Sequence, residues 1–240
     1  MNFSQASLDF LAENKLQDSR QWFKEHKDDY ERLVLAPMQE LVTALTPTIH
    51  KIDERIDCTP KVGRAISRIY RDTRFSRDKS IYRAVVWCVF MRDKKLWDGL
   101  PGFFAEVTPS GYRYGCGYYK ASAETLNIVR DMILAGDRTF LEAKAALDGQ
   151  QVFTMLDERY KRSKYPDQPE ELRFWLDQRN LDAACSGDDR ALLFSDRFAD
   201  KLAADFRLLA PFYRFLMTAE ERRPRPQAAE DFAPDPFMGY

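Results

Sequence analysis

Apolar residues recur every three to four positions through the first fifty residues, the spacing of amphipathic helices. Leu8 and Leu11 share one face of a short helix over 4–14. Trp22, Phe23, Tyr30, Leu33 and Val34 continue near a 3.6 period. Asp18 or Ser19 is expected to cap that second helix, and Asp18 with Gln21 resembles a capping box. Pro37 suits the first turn of a third helix carrying Met38, Leu41, Val42, Leu45 and Ile49. Pro47 is expected to kink or shorten it.

Beyond Pro60 the period changes. Ile66, Ile69 and Tyr70 favour β structure, so 67–71 reads as a short strand rather than a helical turn, and 72–80 reads as a loop. The segment 81–91 is the clearest strand, and its two apolar faces predict a central place in the sheet. Segments 103–108 and 112–119 flank Pro109-Ser110-Gly111, a hairpin signal. Ser122 and Asp137 each open an amphipathic helix, closed by Gly136 and Gly149. A weaker strand is expected over 152–156, a polar loop over 159–169, and a helix opening at Pro169. Ser195 is expected to cap the last long helix, which Pro211 breaks. The pattern defines a single α+β domain over 1–221, with a mainly antiparallel sheet from about 67 to 119 and helices before and after it. The Pro-rich stretch 222–240 reads as a mobile tail, dispensable for folding.

Composition narrows the function classes. Of 240 residues, 45% are hydrophobic and 31% charged, enough for a core and typical of a soluble protein. The longest apolar run, 84–91, is too short to span a bilayer, and the first residues lack the pattern of a secretory signal. Cys58, Cys88, Cys116 and Cys185 lie far apart, which fits buried, reduced thiols in a cytoplasmic protein. With only two histidines and no clustered cysteines, no structural zinc is expected, and no resident metal is assigned.

The candidate chemistry is concentrated in RAISRIYRDTRFSRDKSIYR, residues 64–83. Arg64, Arg68, Arg71, Arg74, Arg77, Lys79 and Arg83 face only Asp72 and Asp78, in a chain whose net charge is −1. A basic cluster on a near-neutral chain is a local site. Arginine forks, hydroxyls and backbone amides are what a bound phosphate or carboxylate needs. The ligand contacts expected are Arg68, Arg71, Arg74, Lys79, Tyr82 and Arg83. Asp72 and Asp78 would orient the guanidinium groups, hold a metal, or act in acid–base chemistry. Against this stands a plain structural account, in which Arg–Asp pairs knit a loop to the sheet edge. The excess of positive charge favours the site.

Other motifs carry less. Trp22 and Phe23 with Arg20 and Lys24 resemble an aromatic platform, although paired aromatics at helical spacing are more often core. Gly115-Cys116-Gly117 lacks the helix that a nucleotide fingerprint requires, so a bulge or close backbone approach explains it better. Cys116 has no neighbouring histidine and reads as a buried thiol. Glu106, if inward-facing, needs a cation, and an arginine of the basic segment is available. It is a third candidate for acid–base chemistry. The basic stretch RYKRSKY reads as a solvated loop.

RIYRDTRFSRDKSIYR resembles the signature of the DUF2461 family of conserved hypothetical proteins, a domain of unknown function. The likeness extends to RQWFKEHKDDYE, PGFFAEV, GCGYYKA and RYKRSKYPDQPEEL, most of the chain. Two positions depart: Ile81 stands where the family commonly has proline, and an extra glycine near Gly115-Cys116-Gly117 is missing. The resemblance implies a soluble α+β domain with 68–83 as its signature, and supplies no activity or cofactor. The functional expectation therefore rests on the residues alone. It is an anion site for a phosphate-containing small molecule or a nucleic acid, with no membrane partner. The alternative is a non-enzymatic interaction module whose arginines meet an acidic protein. A concave pocket with converging arginines favours a small ligand; a flat basic face favours a macromolecule.

Overall fold

Ser4 and Ser19 start the first two helices. Each lies in extended backbone, and each hydroxyl accepts the amide three residues on, that of Ser7 or Trp22. Helix α1 (Gln5–Gln17) closes at Asp18, whose φ of 45° is left-handed. Asp18 is thus the C-cap of α1 and not the start of a capping box with Gln21. Ser19 caps α2 (Arg20–Glu25). The chain continues through α3 (Lys27–Tyr30), a π-helical turn (Glu31–Leu35) and α4 (Ala36–Ile52). Pro37 explains the π turn: it has no amide for the Leu33 carbonyl, and its ring would strike that carbonyl in a regular helix. Widening the turn relieves both problems. Pro47 is carried inside α4.

The structure is a computed structural model and describes residues 2–72, 74, 77–92 and 99–224. The expected mobile tail lies outside these residues from 225 onward, as do Thr73, Phe75 and Ser76 of the basic segment.

Five strands form one antiparallel sheet: β1 (Val86–Phe90), β2 (Gly102–Thr108), β3 (Gly111–Gly117), β4 (Thr154–Met155) and β5 (Asp182–Gly187), in the order β1-β2-β3-β5-β4. The hairpin expected around Pro109 is β2–β3, with Thr108 opposite Gly111. Three expectations are corrected. First, the sheet extends past residue 119, because β5 lies between β3 and β4. Second, β1 is not central: it stands at the end of the strand order. Its outer edge meets residues 65–67 through the Ile66–Cys88 bridge and the Ser67 amide on the Trp87 carbonyl (2.9 Å). Third, 67–71 is not a strand. Only Tyr70 bridges Tyr82 there, between the Arg71–Ile81 and Arg83–Ile69 backbone hydrogen bonds of 2.8 and 3.2 Å.

Three helices follow as the sequence indicates, and Pro211 marks the break expected after the last long one. α5 (Ala123–Leu134) and α6 (Arg138–Asp148) are capped by Ser122 and Asp137. α7 (Glu170–Leu176) opens at Pro169, and α10 (Ala210–Arg222) at Pro211. Between them lie α8 (Arg190–Leu193) and α9 (Arg197–Leu208). The cap expected at Ser195 is corrected: its side chain does not cap α9, because its hydroxyl donates to the Leu192 carbonyl instead.

The helices pack on one face of the sheet. Val86, Cys88, Phe90, Phe103, Ala105, Val107, Tyr114 and Cys116 point into that core and are almost fully buried. Phe103 meets Phe206 and Tyr213, Tyr112 meets Phe198, and Tyr114 meets Phe206. Each such side chain contributes about 1.5–3 kcal/mol on burial. Cross-strand register places the alternate residues, Trp87, Phe104, Glu106 and Arg113, on the opposite face, where they are half-buried. Among the described residues, no helix is long and apolar enough to cross a membrane.

Candidate functional site

The last turn of α1 fixes the chain where the basic segment enters the sheet. The Asp18 carboxylate accepts the amides of Ile81 (2.7 Å) and Tyr82 (3.0 Å). Lys15, one turn earlier, donates to the Ser80 hydroxyl. Tyr82 is fully buried, its ring 5.0 Å from both Phe23 and Tyr70. Burial and the neighbouring Tyr70 hydroxyl push its phenol well above the usual range. Tyr82 therefore serves as a core anchor, and the next residue, Arg83, turns to the other face of the sheet.

There the Arg83 guanidinium lies 4.4 Å over the Trp87 ring, a cation–π stack. Arg83 is half-buried and makes no ion pair among the described residues. Burial, and then the like charge of Arg71, lower its pKa, while Tyr119 and Asp72 act weakly in the other direction. An arginine disfavoured in its charged form stays charged nonetheless, because its ordinary pKa is so high. The local positive charge is held against a desolvation cost.

The remaining residues of the basic segment are placed differently. Arg71 pairs with Asp78 at 2.7 Å. Arg74 grips Asp72 with a fork of 2.7 and 3.0 Å in full solvent, and these hydrogen bonds hold the Asp72 carboxyl at about 2. Arg64 pairs with Asp57 at 2.9 Å. Arg68 is exposed against the Gly63 turn, and Lys79 is exposed. The structure thus brings Arg71, Asp72 and Arg83 together and leaves Arg68, Arg74 and Lys79 on the outside. Asp72 and Asp78 each pair with an arginine, as both accounts of the segment require.

Glu106 finds its cation elsewhere than expected. Its partner is Arg113, directly opposite on β3, at 3.5 Å. Arg113 lies 4.7 Å over the Phe104 ring and donates to Asp182 at 2.8 Å. Burial raises the Asp182 carboxyl above its usual range, despite Arg113 drawing it down. Trp87, Arg113 and Asp182 do not stand out in the sequence. For Arg113 a signal exists: counting back from the Pro109-Ser110 turn sets position 106 against 113. For Asp182 there is none, because its strand is not legible.

The lesser motifs resolve into structure. Trp22 stacks on His26 at 4.1 Å and packs against Phe10, and Phe23 is buried, so they form no open platform. Cys116 is fully buried, and burial pushes its thiol well above the usual range. A Cβ at Gly115 would collide with the Ala183 carbonyl oxygen, the close backbone approach expected of that motif. In the 159–165 loop, Arg159 forks Asp157 at 2.6 Å and Lys164 sits 3.9 Å over the Tyr160 ring. Among the described residues, no cluster of three His, Cys, Asp or Glu side chains is placed to hold a metal ion. Two surface depressions, of about 470 Å³ around Tyr112 and about 560 Å³ around Asp53, are lined by no arginine of the basic segment.

Fold and site together define a two-layer α+β protein, its sheet covered by helices on one face and carrying arginine–aromatic stacks on the other. Residues 6–215 match the family model described as Conserved hypothetical protein (DUF2461), and the chain belongs to that family. No curated protein matches the chain.

Proposed function

We propose that this is a cytoplasmic protein that binds a phosphate-containing anion at Arg83, with Arg71 beside it. The observation that carries the reading is Arg83 itself: a half-buried guanidinium, next to a like charge, without a carboxylate partner among the described residues. A buried charge is costly unless it is paired. An incoming anion supplies the pair. Stacking on Trp87 fixes the plane of the guanidinium, so its donors are oriented before the ligand arrives. The compartment is supported by Cys58, Cys88, Cys116 and Cys185, all unpaired thiols.

Calorimetric titration with inorganic phosphate tests the reading. The wild type should bind, and Arg83→Met, which keeps the stem over Trp87, should weaken binding by about tenfold or more. Arg74→Ala should bind as the wild type does, since Arg74 is forked to Asp72 in solvent. Equal binding by Arg83→Met and wild type would overturn the proposal. Failure of the wild type to bind would also overturn it and turn attention to an acidic protein partner.

A further inference from the structure

The face that carries Arg83 is not uniformly positive. Trp87, beneath Arg83, stands directly opposite Glu106. Glu106 is opposite Arg113, which reaches along the face to Asp182. Two carboxylates, Glu106 and Asp182, thus share the guanidinium of Arg113, and Glu158 lies close enough to Asp182 to act on its charge. The two ends differ in sign, and Trp87, which carries the positive one, is one strand from Glu106, on the order of 5 Å between paired Cα atoms.

The carboxylates are not equally committed. Asp182 is only 14% exposed in its side chain and holds Arg113 at 2.8 Å, so it is the structural partner. Glu106 is 28% exposed and lies at 3.5 Å from the same guanidinium, at the outer limit of a hydrogen bond. It has acceptor capacity left, since an ionised carboxylate has about four lone-pair sites. A ligand whose anionic group rests on Arg83 therefore meets, one strand further on, a carboxylate ready to accept hydrogen bonds.

Resting on the anion-site reading, we infer that the ligand is a small molecule carrying a phosphate at one end and a cationic or hydrogen-bond-donating group at the other, taken up by Glu106. Neither surface depression lies at Arg83, so charge rather than concavity decides between the ligand classes, and on charge a nucleic-acid strand fits this face poorly. Its successive phosphates would be carried from Arg83 toward Glu106 and Asp182, two carboxylates that share the one guanidinium of Arg113. At physiological salt the Debye length of about 8 Å does not screen that repulsion at one-strand separation. An amine on a short stem is instead attracted by the same carboxylates.

Four probes separate the outcomes: inorganic phosphate, ethyl phosphate, 2-aminoethyl phosphate and a ten-residue oligothymidylate, each titrated into the full chain. 2-Aminoethyl phosphate should bind at least about threefold more tightly than ethyl phosphate, the range of a half-exposed ion pair. Glu106→Gln should erase that preference and, by removing a nearby negative charge, should leave inorganic phosphate bound as tightly as in the wild type or more tightly. The oligonucleotide should bind no more tightly than ethyl phosphate. If ethyl phosphate and 2-aminoethyl phosphate bind alike, or Glu106→Gln leaves a preference intact, the inference fails although the anion site stands. An oligonucleotide bound much more tightly than either small phosphate overturns it in favour of a nucleic-acid strand. If inorganic phosphate does not bind, or binds without regard to Arg83, the underlying reading fails first.

Discussion

Asp18 does two things at one position. Its left-handed backbone ends α1, and its carboxylate satisfies two amides 63 and 64 residues away. Asp18→Ala removes the short polar side chain that makes a left-handed conformation tolerable for a residue other than glycine. It also strands the amides of Ile81 and Tyr82. We expect a loss of about 1–3 kcal/mol in urea unfolding, with Asp18→Asn losing less; an unchanged midpoint for the alanine variant would refute the role. Asp53 is the second residue of this kind. It accepts from the Tyr213 hydroxyl at 2.7 Å and from Arg92, and its side chain is 6% exposed. Burial alone would raise its carboxyl, but the hydrogen bonds from Arg92 and Tyr213 outweigh burial and hold it below the usual range. Its stabilising contribution is therefore full above the unfolded carboxylate pKa, near 4, and is lost as pH falls through the lower folded value. Wild-type stability should drop between about pH 5 and 2 more steeply than that of Asp53→Asn; parallel curves would contradict this. Neither role is legible in the sequence. Asp18 reads as a local cap because Gln21 lies three residues on, and nothing local marks a partner sixty residues away.

At the scale of elements, legibility follows how far each element's identity depends on its own residues. The helices capped by Ser122 and Asp137 can be read because cap and apolar period agree. The β2–β3 hairpin can be read from its turn, and with it the Glu106–Arg113 pairing. β5 cannot: Asp-Ala-Ala-Cys-Ser-Gly contains no β-branched or aromatic residue, and pairing on both sides makes it a strand. β1 reads as central because its outward face, Trp87 and Val89, is apolar, yet it lies at the end of the strand order. Gly115 tests the β3–β5 contact. Its missing Cβ lets the Ala183 carbonyl approach, so Gly115→Ala should cost about 1–3 kcal/mol or more and lower the melting temperature. A variant as stable as wild type would show that the two strands separate easily.

For the whole molecule, the basic segment divides into two parts that its sequence does not distinguish. Arg71 and Arg74 are matched to Asp78 and Asp72, in keeping with the structural account of the segment. Arg83 has no carboxylate partner among the described residues, and it lies over an aromatic ring of the sheet. The candidate site is thus legible as a stretch but not as a set of contacts. Convergence depends on Trp87, and on Tyr82 being buried so that Arg83 faces the other way. The most direct test is unfolding of wild type and Arg83→Met with and without phosphate, compared pairwise because phosphate also stabilises proteins non-specifically. If Arg83 is held for a ligand, Arg83→Met without phosphate should be as stable as wild type or more so. Added phosphate should raise the melting temperature of the wild type by more than it raises that of Arg83→Met, through mass action. If Arg83→Met is destabilised by about 3 kcal/mol or more, the cost of breaking a buried pair, and responds to phosphate as the wild type does, the account is contradicted and Arg83 is part of the scaffold.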